Sequence, residues 1–92
     1  MIVRILTEGQ FNFPQAFVDE LNEIDNQIVE VVESQDRDAF DRQLKAMLDL
    51  VREKGTPVDA NELIESDIVL PQPDITLEEA EQLFTGEGLV PD

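Results

Sequence analysis

Residues 14–54, PQAFVDELNEIDNQIVEVVESQDRDAFDRQLKAMLDLVREK, decide the fold. From Pro14 to about Ser34, the apolar residues Phe17, Leu21, Ile24, Ile28 and Val31 recur at alternating spacings of four and three, which lays them in one stripe along a helix. From Asp36 to about Lys54, Phe40, Leu44, Met47, Leu48 and Val51 repeat the pattern. Only a residue or two around Gln35 and Asp36 separate the runs, enough for nothing but a tight connection between antiparallel neighbours. The stretch therefore predicts an αα-hairpin.

The ends of the two helices carry their own signals. Pro14 suits a first helical position, where its missing N–H costs nothing. Asp36 can cap the second helix, Arg52 and Lys54 complement its dipole in the last turn, and Gly55 is expected to end it in the left-handed conformation. The polar positions of the first helix are Asp19, Glu20, Asn22, Glu23, Asp25, Asn26, Glu30 and Glu33, without a base among them. Like charges at helical spacing repel by tenths of a kcal/mol per pair. Arg37, Arg42 and Lys45 on the following helix are the expected intramolecular counterions.

On the N-terminal side, Ile2-Val3-Arg4-Ile5-Leu6-Thr7 is β-branched and apolar, and Glu8-Gly9-Gln10 separates it from Phe11-Asn12-Phe13. Gly9 supplies the turn freedom of a β-hairpin, with Phe11 and Phe13 on one face over the helices. On the C-terminal side, Thr56-Pro57 turns the chain out, and Asp59-Ala60-Asn61-Glu62 fits a capping box for one helical turn through Leu63 and Ile64. Ile68-Val69-Leu70, closed by Pro71, reads as a short strand able to join the hairpin. Thr76-Leu77-Glu78-Glu79 opens a short helix with Leu77, Ala80, Leu83 and Phe84 on its apolar side, stopped by Gly86 and Gly88. Leu89-Val90 before Pro91 reads as an extended apolar tail. The expected fold is a small two-layer α+β domain spanning residues 1–92: a β-hairpin in 1–13, the helical hairpin in 14–54, and an acidic segment with a short strand and helix in 55–92. One or two short strands extend the hairpin's sheet.

Composition narrows function by exclusion. There are 22 acids against 6 bases, a formal net charge of −16, and Lys54 is the last base. Residues 1–54 carry a net −6 and residues 55–92 a net −10. Such a field repels nucleic acid and anionic lipid alike. Histidine, cysteine, tyrosine and tryptophan are absent, which removes the commonest general base, the thiol nucleophile and the soft metal ligands. Asp36, Asp38 and Asp41 lack the glycine and closing glutamate of a calcium loop, and Gly86-Glu87-Gly88 lacks the Lys-Ser/Thr of a phosphate loop. Neither a catalytic residue, a metal site nor a cofactor is expected. No apolar run approaches the roughly 20 residues of a membrane span, and the opening Met1-Ile2-Val3-Arg4 has no signal-peptide pattern, so the expected compartment is the cytoplasm.

Several stretches together resemble the PspA-associated family, PspAA: Met1-Ile2-Val3-Arg4-Ile5-Leu6 with Glu8-Gly9-Gln10, then Leu21-Asn22-Glu23-Ile24-Asp25, then Val51-Arg52 with Gly55-Thr56-Pro57-Val58. Ser66-Asp67-Ile68-Val69-Leu70-Pro71, Asp74 with Thr76-Leu77-Glu78-Glu79, and Gly88-Leu89-Val90-Pro91 continue it across the whole chain. The resemblance implies a non-enzymatic accessory protein of the phage-shock membrane-stress system, with PspA, an ESCRT-III-like coiled-coil protein, as partner. It brings no catalytic residue; Gly9, Gly55, Pro71 and Pro91 look structural, as do the turns and caps at Pro14, Asp36, Asp59, Thr76 and Gly86. Glu20, Glu23 and Glu30 on the first helix, or the C-terminal segment, are the expected contact, and homo-oligomerisation stays open. Two other readings stand beside it: an antitoxin-like acidic mimic that occupies a basic protein's nucleic-acid groove, and a small-molecule sensor with a pocket between sheet and hairpin.

Overall fold

The structure, a computed structural model, describes residues 1–62 and 64–84. Strand β1 (Ile2–Ile5) pairs antiparallel with β2 (Gly9–Asn12), Ile2 opposite Asn12 and Ile5 opposite Gly9. The connecting turn lies at Leu6-Thr7-Glu8, two residues earlier than expected, closed by the Glu8 N–H on the Ile5 carbonyl at 3.0 Å. Thr7 takes the positive φ of 75° that the third residue of a type II turn requires. Gly9, at φ 115°, is the first residue of β2. In this register Val3 and Ile5 face the core, and a slip by one residue would turn both to solvent.

The chain then runs through a 3₁₀ turn (Gln15–Phe17) into helix α1 (Val18–Glu33), a tight joint, and helix α2 (Arg37–Lys54). Pro14 stands before the 3₁₀ turn with an extended ψ of 137°, so the first helix begins later than Pro14. The turn lets Phe17 meet Phe13 edge-on, ring centroids 6.5 Å apart, while the Phe17 N–H bonds the Pro14 carbonyl. At the joint, the Asp36 N–H reaches back to the Val31 carbonyl and the Gln35 N–H to that of Val32, both at 3.1 Å, with Gln35 at φ 59°. These are the two bonds of a Schellman motif, with glutamine in the position that usually holds glycine. The Asp36 carboxylate accepts the Ala39 N–H at 3.1 Å and so caps α2.

Past α2, Gly55 has φ −83° and ψ 158°, extended and not left-handed as expected. Its lack of a side chain serves close approach instead: a Cβ there would lie 2.5 Å from the Val51 carbonyl oxygen and 3.0 Å from Phe11 Cβ. Thr56-Pro57 is itself a strand, β3, pairing antiparallel with β2. Asp59–Glu62 forms a turn and no helix. The Asp59 carboxylate accepts the Asn61 N–H at 2.9 Å and its carbonyl the Glu62 N–H at 3.0 Å, bonds that close a local Asx turn before a helix can start; Leu63 lies outside the described residues.

Strand β4 (Ile68–Leu70) lies parallel to β1, giving the order β3-β2-β1-β4. Helix α3 (Leu77–Leu83) starts at a reciprocal capping box in which Thr76 Oγ1 accepts the Glu79 N–H and Glu79 Oε1 accepts the Thr76 N–H. Leu77, Ala80 and Phe84 are buried, whereas Leu83 is exposed, because seven helical residues lay only a narrow stripe on the layer below. Gly86, Gly88 and Leu89-Val90 lie outside the described residues.

The helices cover one face of the mixed sheet. Val3, Ile5, Phe13, Ile68 and Leu70 from the sheet side meet Leu21, Ile28, Phe40, Leu44, Met47, Leu48 and Val51 from the hairpin. Helix α1 also contacts α3, so its buried arc is wider than one seam and is rotated from the expected stripe. Val18, Leu21, Asp25, Ile28, Val29 and Val32 are buried; Phe17, Ile24 and Val31 are half-buried. No helix among the described residues is long and apolar enough to cross a membrane.

Candidate partner interface

Helix α1 buries one arc and leaves the opposite arc to solvent, where Asp19, Glu20, Glu23, Glu30 and Glu33 all stand exposed. Glu20, Glu23 and Glu30, the expected contact residues, thus share one face of α1. Asp25, placed on this polar face by sequence, is instead 0% exposed. Its position explains this: it lies four residues after Leu21 and three before Ile28, in phase with the buried line. Phase alone could have found it, had the carboxylate not been assigned to solvent by its chemistry.

Two of the expected counterions from α2, Arg37 and Lys45, pair with acids outside α1. Arg37 bonds Glu78 of α3 at 2.6 Å, and Lys45 bonds Asp49 of its own helix at 2.7 Å. Two antiparallel helices that bury facing stripes turn their polar faces away from each other, so neither can neutralise the other. Among the described residues, no ion pair involves the exposed acids Asp19, Glu20, Glu23, Glu30 or Glu33 of α1. What remains is a solvated carboxylate face of one sign, able to draw in a basic surface over a distance set by salt.

A second cluster is structural. Arg52 near the end of α2 grips Glu8 in the β1–β2 turn with both ends of its guanidinium, and Asp49 at 3.0 Å. The Glu8 bond raises the Arg52 pKa; in return the Arg52 bond holds the Glu8 carboxyl below its ordinary value, while Asp49 is lowered by its bond to Lys45 and then by Arg52. Forked guanidinium bonding of this kind fixes orientation, and here it fastens the hairpin turn to the helix. Lys54 is occupied as well, its ammonium 5.1 Å from the Phe17 ring centre.

Two open clefts lie away from the core. One of about 680 Å³ lies on the sheet face remote from the helices, between Arg4, Gln10 and the segment around Asp59, Glu62 and Ile64. There the buried Gln10 amide donates to the Ile64 carbonyl at 2.7 Å and to Ser66 Oγ at 2.8 Å, which pins that segment across the strands. The other, of about 550 Å³, runs along α2 beside Pro73, Asp74 and Ile75. The layer between sheet and hairpin, where the alternative sensor reading would place its pocket, is filled by the buried side chains of the core. Among the described residues, no three carboxylates are grouped to hold a metal ion.

No curated protein and no solved structure matches this chain. One family profile does, that of the PspA-associated protein, PspAA, and it covers residues 1–92.

Proposed function

Because the chain belongs to the PspA-associated family, matched over its whole length, we propose that it is a non-enzymatic accessory protein that binds a PspA-type coiled-coil partner in a membrane-stress response. The observation that carries the proposal is the exposed face of α1, on which Glu20, Glu23 and Glu30 stand without a counterion from the described residues. A long coiled coil offers charged flanks to such a face, and the acids would speed encounter more than they add affinity. The chain would act in the cytoplasm through its partner, its own negative field keeping it from anionic lipid.

The test is co-purification with PspA at low and at high salt, with the triple variant Glu20→Lys, Glu23→Lys and Glu30→Lys alongside. Binding should weaken as the Debye length falls from about 30 Å at 0.01 M to about 3 Å at 1 M salt. The triple variant should bind more slowly at low salt and lose most of that salt dependence. Absence of binding at either salt removes the partner; binding that the triple variant leaves untouched removes the α1 face.

A further inference from the structure

The two edges of the sheet are built differently. β3 closes one side with Pro57, which has no N–H to offer a further strand. β4 closes the other with Ile68-Val69-Leu70, which carries neither the proline nor the lysine that commonly guard an exposed edge. In the parallel ladder the Leu6 N–H donates to the Leu70 carbonyl at 3.0 Å, so residues 68 and 70 direct their backbone groups to β1. By the alternation of the ladder, the N–H and carbonyl of Val69 point outward. Among the described residues no strand lies beyond β4.

This edge is apolar at its centre, and the segment leading into it is acidic. Val69 is 47% exposed on the sheet face away from the helices, and Leu6, beside the end of β4, is 40% exposed. Glu65, which is exposed, and Asp67, whose carboxylate accepts the Ile2 N–H at 2.7 Å, precede the strand, and no base occurs after Lys54. Arg4 is level with Val69 in the register. A second copy of a chain carrying −16 would bring the same acids against these, so self-pairing through this edge is opposed.

We propose that the edge of β4, which no described strand covers, binds an extended peptide segment of another protein by strand addition, the segment having an apolar centre flanked by lysine or arginine. Ladder bonds to the Val69 N–H and carbonyl supply affinity, the apolar centre covers Val69, and the flanking bases meet Glu65 and the net negative field of the chain. This site is separate from the α1 face and does not depend on it.

The probe is the peptide Lys-Lys-Val-Thr-Val-Lys-Lys, compared with its Glu-for-Lys counterpart and with a version N-methylated along its central backbone. Amide hydrogen exchange of the full chain is followed by NMR. In the free protein the Val69 amide should exchange freely; the basic peptide should protect it. Val69→Lys should weaken binding by about tenfold or more, roughly 1.4 kcal/mol or above, and the N-methylated and acidic peptides should fail to bind. Glu53→Gln, exposed on α2, should leave affinity unchanged. Val69 is exposed, so its substitution leaves the core intact. A Val69 amide already protected in the free chain, equal binding of the N-methylated peptide, or no binding of the basic peptide would each overturn the proposal.

Discussion

Replacing Gly55 separates two reasons for a glycine after a helix. At φ −83° the backbone is one that alanine adopts freely, so on conformational grounds Gly55→Ala should stabilise by about 0.4–1 kcal/mol through the unfolded chain. Sterically the sign reverses. The new Cβ would sit 2.5 Å from the Val51 carbonyl oxygen, a backbone atom that also accepts the Gly55 N–H at 2.8 Å, and 3.0 Å from Phe11 Cβ. Neither neighbour is the loose end of a flexible side chain, so the last turn of α2 or strand β2 must shift, at an overpacking cost of about 1–3 kcal/mol. The expected net loss is about 0.5–2 kcal/mol, or a few degrees to roughly 16 °C at 4–8 °C per kcal/mol for a domain of this size. Gly55→Asn decides the cause. Asparagine tolerates the left-handed region and would rescue a position chosen for handedness, but it carries the same Cβ. Urea denaturation of both variants should show Asn at least as damaging as Ala. An Asn variant close to wild type beside a damaged Ala variant would refute the close-approach argument.

Gln35 is the opposite case: at φ 59° in the Schellman position, Gln35→Gly should relieve left-handed strain and raise stability by about 0.5–1 kcal/mol, read in the same denaturation series. Glu8, held below the ordinary glutamate value of 4.5 by its bond to Arg52, contributes stability that is fully present above that value and lost as pH falls through its lower folded one. The gap in Tm between wild type and Glu8→Gln should therefore be steady near neutrality and close on acidification below about 4.5; a gap that widens there contradicts the assignment. Because the net charge is −16, added sodium chloride should raise Tm by screening self-repulsion, outweighing the small loss from exposed ion pairs. Calorimetry from about 0.01 M to 1 M salt measures the slope, and a falling Tm would show that the ion pairs dominate.

The elements legible in the sequence were those specified by near neighbours. The helical hairpin follows from the 3.6-residue period in residues 17–51, the β-hairpin from Ile2–Ile5 meeting Phe11 across a turn, and α3 from Thr76 and Glu79 three residues apart. Each is a short-range pattern whose physics is complete within a few turns of chain. Family membership was legible in the same way, from the order of several short stretches along the whole chain.

Tertiary structure decided what depends on who stands opposite. Asp25 lies in phase with Leu21 and Ile28, but how wide an arc α1 hides was decided by its packing on both α2 and α3. The exposed acids Glu20, Glu23 and Glu30 stay without the expected bases because burial of the facing stripes sends the two polar faces apart, and Arg37 finds Glu78 instead. Thr56-Pro57 became a strand only because Phe11 and Asn12 lay beside it, and Gly55 is needed for a neighbour, Val51, and not for its own dihedral. Periodicity and caps act along the chain and can be read from it; burial, counterion choice and close approach are settled between segments far apart in sequence, and only their meeting in space assigns them.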